Sequence, residues 1–206
     1  DHFSPKGHKY LRDFEAETIA KLVYRVGGVV LQKESLLVEK EEQVLIKYTL
    51  LEAQSDVLLK LRPFCAFRNI HELSKANLYA DTTPGKIKNG VKFQLYEGYP
   101  HLHLQTSKKS EYVHVPNWYY GIEYMQEQQR GYDYKEDIMV PGYFEVNLKS
   151  GESFVFSAST KENSPLALQR KFKAEQATRL PRNSFINCLR NAAEQFIIKE
   201  EKETKL

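Results

Sequence analysis

Cysteine, long apolar runs and blocks of like charge are all scarce in this sequence of 206 residues. Its two cysteines, Cys65 and Cys188, lie far apart without a CxxC partner, which excludes a disulfide-stapled miniprotein and favours two buried thiols. No apolar run approaches the roughly 18 residues that a membrane helix needs. The net charge is +3, with basic and acidic residues mixed along the chain. The sequence therefore predicts no membrane partner and no nucleic-acid partner.

Motifs for several kinds of catalysis are absent as well. There is no Gly-rich phosphate loop, no nucleophile elbow, and no set of histidines and cysteines at metal-ligand spacing. His101 and His103 are two residues apart, but the polar face of a strand explains them more simply than a metal does. We therefore expect no cofactor and no metal. The start of the chain has no signal-peptide pattern, so the cytoplasm is the expected location.

Aromatic residues are plentiful, since the chain has 13 Tyr and 11 Phe, although it has a single Trp. A hydrophobic fraction of 41% is typical of a folded globular protein and excludes a disordered chain. Tyrosine combines an apolar ring with a polar tip, which suits half-buried strands and also suits a surface on which sugar rings stack. Filling of a β-sheet is the more frequent use, and both uses stay open at this point.

Alternating apolar residues predict a fold that is mainly β, an antiparallel meander with short helices. The polar stretch 39–42 indicates a hairpin turn between two of the strands. A second turn signal at 149–152 predicts that the last two strands form another hairpin. The predicted strands are 22–26, 29–31, 35–38, 44–51, 57–62, 91–96, 101–106, 111–115, 143–148 and 153–157.

Helices are predicted at two places. Asn69 is suited to be the N-cap of a short helix over 70–77. From Ser164 onward, apolar residues at i, i+3 and i+4 spacing predict helices, the second of them capped by Asn183 or Ser184. The tail 199–205 is polar throughout, which predicts a frayed end or a linker.

The strand pattern stops between Trp118 and Gly142, where aromatic and charged residues accumulate. A structureless stretch of more than about 15 residues inside a compact domain is uncommon and usually functional. Glycoside hydrolysis requires a pair of carboxyl groups. Arg130 can hold a sugar hydroxyl, or it can pin the loop by pairing with an acid, and the sequence leaves both roles open. The carboxylates of this segment that are candidates for such chemistry are Glu127, Asp133, Glu136 and Asp137.

Several segments together carry a resemblance to a known family. In combination they resemble the N-terminal domain of glycogen debranching enzymes of the bacterial and archaeal type, which are amylo-α-1,6-glucosidases. The segments are 61–73, Trp118-Tyr119-Tyr120, Tyr124, Glu127, Arg130-Gly131, Glu136-Asp137, Pro141-Gly142 and 187–197.

The resemblance implies an antiparallel β super-sandwich over residues 1–163, with a functional loop at 116–142. It also implies that residues 164–206 are a helical linker toward an (α/α)₆ barrel, which cuts glycogen or a limit dextrin. Because the barrel sequence is missing, we expect a section of a longer enzyme that is inactive alone. We expect Trp118 and Tyr120 to be carbohydrate-stacking or packing platforms. Binding of sugar hydroxyls or ordering of the loop is expected from Arg130, Asp133, Glu136 and Asp137, and none of the six is expected to be the catalytic acid or base.

Two other functions fit the same residues. Exposed aromatic rings are also what a free-standing carbohydrate-binding module would use. Alternatively, the domain is purely structural, and its aromatic segment is a contact buried between domains. Binding of maltooligosaccharides by the chain alone favours the module, whereas a loss of thermal stability without a change in KM favours the structural role.

Overall fold

The computed structural model describes residues 6–194 and 196, and these form two antiparallel sheets and three α-helices. A 3-10 turn at Gly7–Tyr10 precedes the first strand. The strands are β1 (Leu11–Glu15), β2 (Ala20–Val26), β3 (Val29–Leu37), β4 (Gln43–Glu52), β5 (Val57–Leu61), β6 (Gly85–Ile87), β7 (Gly90–Phe93), β8 (Leu102–Thr106), β9 (Glu111–Glu123), β10 (Lys135–Leu148) and β11 (Ser153–Ser159). The helices are α1 (Met125–Gln129), α2 (Pro165–Thr178) and α3 (Phe185–Glu194).

The two sheets pack face to face as a β-sandwich, which confirms the predicted fold class. Eight strands form one sheet in the order β1-β2-β3-β4-β11-β8-β7-β6, and three form the other in the order β5-β10-β9. The main core lies between the sheets, where the rings of Phe144 on β10 and Phe156 on β11 meet edge to face at 5.5 Å. Leu168 and Phe172 of α2 cover a second cluster that includes Leu45 and Val155 of the eight-stranded sheet.

The predicted meander is confirmed for β2, β3 and β4, with the polar stretch 39–42 turning the chain between β3 and β4, but the two strands predicted at 29–31 and 35–38 are one continuous strand, β3. The next strand, β5, departs from the predicted meander. Instead of extending the large sheet, β5 pairs with β10 in the small one. Apolar alternation shows that a strand has a buried face, but it does not show which neighbour the strand pairs with.

The hairpin predicted around 149–152 is wrong. Strand β10 lies in the small sheet and β11 in the large one, so this turn carries the chain from one layer of the sandwich to the other. Backbone hydrogen bonds to Leu50 tie the turn to β4, with Gly151 N 2.7 Å from its carbonyl oxygen. Phe144 and Leu148 of β10 and Phe154 and Phe156 of β11 point into the same core, and a turn motif alone does not distinguish stacked strands from paired ones.

The helix predicted over 70–77 is also wrong, because the chain makes only one turn there and then extends. Asn69 does cap that turn, since its Oδ1 accepts a hydrogen bond from the His71 amide at 3.0 Å. The following amides of Ser74 and Ala76 donate to carboxylates on β10 instead of to helical carbonyls. Tertiary contacts therefore override the local helix signal.

The C-terminal helices are confirmed, and Ser184 caps the second, because its Oγ accepts from the Asn187 amide at 3.2 Å. Of the two predicted buried thiols, Cys65 is buried, but Cys188 is exposed on α3, which makes the second prediction wrong. The predicted polar end at 199–205 lies outside the described residues. No helix in the described part of the chain is long and apolar enough to cross a membrane.

Candidate functional site

The segment predicted as a long irregular connection is a β-hairpin, so that prediction is wrong. Strand β9 continues to Glu123, helix α1 and a turn at Gly131 follow, and β10 starts at Lys135. The Tyr124 amide closes the hairpin on the carbonyl oxygen of Tyr134 at 2.9 Å. Most side chains of β9 are exposed, and the register of its pairing with β10 shifts twice. Both features remove the regular alternation by which a strand is predicted from sequence.

Glu136 is fully buried and anchors the hairpin to the segment 68–77. Its Oε1 accepts hydrogen bonds from Arg68 Nε and from the Ser74 amide at 3.1 Å, and the Ser74 hydroxyl oxygen lies 2.9 Å away. Its Oε2 accepts from Arg68 Nη2 at 3.1 Å and from the Tyr124 hydroxyl at 2.5 Å. Arg68 thus binds both carboxylate oxygens, the geometry that makes an arginine–carboxylate pair strong.

The electrostatics of Glu136 follow from these contacts. Burial by itself raises the pKa of this carboxyl, but hydrogen bonds from Arg68, Tyr124 and Ser74 outweigh burial and lower the pKa to about 2. A general acid needs a pKa near the working pH and a free oxygen that faces the substrate. Glu136 has neither, so it orders the surrounding chain and does not act as an acid.

Asp137 makes a second set of contacts on the neighbouring position of β10. Its Oδ1 accepts from the Gly121 amide at 2.9 Å, and its Oδ2 accepts from the Ala76 amide at 3.1 Å. These backbone hydrogen bonds lower the pKa of Asp137. Of the two roles expected for Glu136 and Asp137, the structure shows loop ordering, and sugar contact by either of them stays a prediction.

The other predicted residues lie on strand β9 or in the turn of the hairpin. Trp118 is half-buried on β9, where its Nε1 donates to the carbonyl oxygen of Asn77 at 3.2 Å. Tyr120 on β9 is 66% exposed, and Asp133 is exposed in the turn. Arg130 pairs with Glu127 at 3.1 Å, but its side chain is 63% exposed, and an ion pair this open contributes at most about 1 kcal/mol. The guanidinium therefore stays accessible to a ligand.

Next to the anchored segment lies a cleft of about 770 Å³ that the sequence did not predict. We call it the tyrosine cleft. Its volume falls within the range of about 300 to 1,000 Å³ that is usual for ligand pockets. Three tyrosines give it a strongly aromatic wall, and side-chain amides stand between them. Among the residues that line it are Phe67, Asn77, Tyr79, Gln94, Tyr96 and Tyr99.

The cleft was missed because its walls come from two separate stretches of chain. Tyr79 lies on the extended segment before β6, and Tyr96 and Tyr99 lie in the loop between β7 and β8. A signal was present, because two of these tyrosines flank a glycine in a loop that ends at Pro100, where strand filling requires no aromatic ring. The contact with Tyr79 depends on the tertiary fold.

Comparison with known sequences adds one finding. The model of a protein family described as "Glycogen debranching enzyme N terminal" matches residues 1–155. The matched range contains the small sheet, the hairpin and the tyrosine cleft, and it ends inside β11. No curated protein gave a significant match.

Proposed function

The chain belongs to the family of glycogen debranching enzyme N-terminal domains, and from this premise we propose its role in such an enzyme. The domain is non-catalytic, packs on an (α/α)₆ barrel that has α-1,6-glucosidase activity, and contributes the β9–β10 hairpin to the glucan cleft of that barrel. The substrate is glycogen or a limit dextrin. The cytoplasm is the proposed location.

One observation carries this proposal, namely a hairpin whose strands are anchored next to its turn while the turn itself is open to solvent. Glu136 and Asp137 fix the strand ends beside the turn through hydrogen bonds to Ser74, Ala76 and Gly121. Next to these anchors β9 presents the exposed ring of Tyr120, and the turn presents the accessible guanidinium of Arg130. Groups that are held in place before a ligand arrives lose less conformational entropy on binding, which suits a contact made at the edge of another domain's cleft.

Helix α3 supports the packing part of the proposal. It exposes a group of large apolar side chains, Phe185, Ile186 and Leu189. Apolar groups of this kind on a helix surface mark an interaction face. The helix follows the sandwich in the chain, in the part where the sequence resembles the helix that leads into the barrel.

The test uses a debranching enzyme in which this chain is the N-terminal domain. Tyr120→Ala and Arg130→Ala should raise KM for a limit dextrin several-fold and leave the unfolding temperature unchanged, because both side chains are exposed. The matched control is Phe14→Ala, which removes an exposed ring from the far edge strand of the large sheet. Unchanged KM in both hairpin variants would overturn the hairpin's role in sugar contact.

The free-standing carbohydrate-binding module is the second candidate, and the tyrosine cleft is the observation that favours it. If the chain is such a module, it should not associate with a debranching-enzyme barrel that is produced separately. Size-exclusion chromatography of the two proteins mixed at micromolar concentration distinguishes the candidates. Co-elution supports the enzyme domain, and separate elution supports the module.

A further inference from the structure

We propose that the tyrosine cleft is a second glucan-binding site, separate from the hairpin tip, and that it takes a curved α-linked glucan chain. The identity of the polymer as a glucan rests on the proposed function. The position and shape of the site rest on the cleft itself. None of the six site residues predicted from the sequence lines this cleft.

The aromatic rings form a curved wall. The ring centroids of Tyr79 and Tyr96 are 5.8 Å apart with the planes tilted by 49°, and those of Tyr96 and Tyr99 are 6.2 Å apart with a tilt of 65°. An extended β-linked chain stacks best on coplanar rings. Rings that turn from one to the next instead match a chain that bends at every linkage, as an α-linked glucan does. Tyr79 is 79% exposed, so its face is available for stacking.

The polar groups of the cleft suit a neutral ligand rich in hydroxyl groups. Three carboxylates line it, from Glu72, Asp81 and Glu97, and carboxylates accept hydrogen bonds from sugar hydroxyls. Of the two cations in the lining, Arg68 is paired with the buried Glu136, and Lys75 donates to a backbone carbonyl. A phosphate or another anion would therefore meet net negative charge, which selects against it.

Parts of the aromatic wall are held by hydrogen bonds before any ligand arrives. The Asn77 side-chain amide donates to the Tyr96 hydroxyl at 2.9 Å, and the Gln94 amide donates to the carbonyl oxygen of Tyr99 at 2.6 Å. Asn77 itself is tied to the hairpin through Trp118. The Tyr96 ring therefore has little side-chain entropy left to lose when a sugar binds.

The experiment is calorimetric titration of the 206-residue chain with maltoheptaose, and with cellohexaose as the β-linked comparison. We expect maltoheptaose to bind and cellohexaose to bind at least tenfold more weakly. Tyr79→Ala should weaken maltoheptaose binding about threefold to tenfold through the loss of one stacking ring. Tyr79→Phe should restore binding to within twofold, and Tyr10→Ala, an exposed tyrosine next to the opposite edge of the large sheet, should change nothing.

Three results would overturn the inference: no binding of maltoheptaose, equal binding of cellohexaose, or unchanged affinity in Tyr79→Ala. Because Tyr79 is exposed, we expect the Tyr79→Ala variant to fold normally, so that weaker binding reports the loss of the ring. An unchanged unfolding temperature checks that the variant is folded. The outcome is independent of the hairpin test. With a glucan site in this cleft, the chain alone binds maltoheptaose both as an enzyme domain and as a free-standing module, so co-elution with the barrel, and not this titration, distinguishes those two functions. If Tyr79→Ala weakens maltoheptaose binding while Tyr120→Ala and Arg130→Ala leave KM unchanged, only the proposed hairpin role is refuted. If the hairpin variants raise KM while Tyr79→Ala leaves the affinity unchanged, only the second site is refuted.

Discussion

Replacing Glu136 by glutamine should remove one of the largest single electrostatic contributions to the stability of this domain. The variant keeps the shape of the side chain but leaves the Arg68 guanidinium without its charged partner. Removal of one member of a buried pair typically costs about 3 to 5 kcal/mol. Since Arg68 is partly open to solvent, we expect the lower end of that range.

The pKa of Glu136 gives a second route to the same magnitude. Lowering it from 4.5 to about 2 corresponds to roughly 3 kcal/mol of stability at neutral pH. Because the folded-state pKa lies below the ordinary value, this stabilisation is complete above about pH 5 and is lost as the pH falls toward 2. The difference between the wild-type protein and Glu136→Gln should therefore shrink over the same interval.

The assay is urea unfolding of both proteins at pH 7, 5 and 3. Glu127→Gln is the matched control, because it removes from the same hairpin a carboxylate whose ion pair, with Arg130, is exposed. This control should lower the free energy of unfolding by less than about 1 kcal/mol. A loss in Glu136→Gln below about 1 kcal/mol at pH 7, or a loss independent of pH, would refute the reasoning that this carboxylate anchors the hairpin.

Three further outcomes are expected. In the native protein a thiol reagent should modify Cys188 rapidly and Cys65 only on unfolding, because Cys188 is exposed and burial raises the pKa of Cys65 to about 12; two fast thiols would contradict this. Gly90→Ala should lower the unfolding temperature, measured by circular dichroism, because its Cβ would lie 2.1 Å from the carbonyl oxygen of Leu104, and an unchanged temperature would argue against this close approach. Incubated with a limit dextrin, the chain alone should release no glucose in an enzymatic assay, and clear turnover would contradict its non-catalytic role.

Much of the secondary structure was predictable because local pattern determines it. Strand β4 alternates in a way that needs no knowledge of the rest of the fold, with Ile46, Tyr48 and Leu50 on the face toward the main core. The assignment of strands to sheets was not predictable in the same way. Strands β10 and β11 both alternate, and whether they pair or stack depends on the partners available elsewhere.

The candidate site shows the same division. The sequence points to Glu136 and Asp137 because glycoside hydrolysis requires carboxyl groups and because this segment carries the family resemblance. Their partners at Arg68, Ser74 and Ala76 are far away in sequence. Sequence spacing therefore identified the groups without showing that one of them is buried. The tyrosine cleft was missed altogether, since Tyr79 meets Tyr96 only after the extended segment has been anchored to the hairpin.

Two adjacent carboxylates on β10 hold the amide protons of Ser74, Ala76 and Gly121, which belong to two other parts of the chain. These protons can exchange with solvent only when the chain that carries them separates from β10, and β10 is itself paired on both sides within the small sheet. Native-state hydrogen exchange should then report similar opening free energies for all three amides. We therefore expect a surface segment without regular secondary structure to open as slowly as a core strand, and Tyr79 follows directly on that segment.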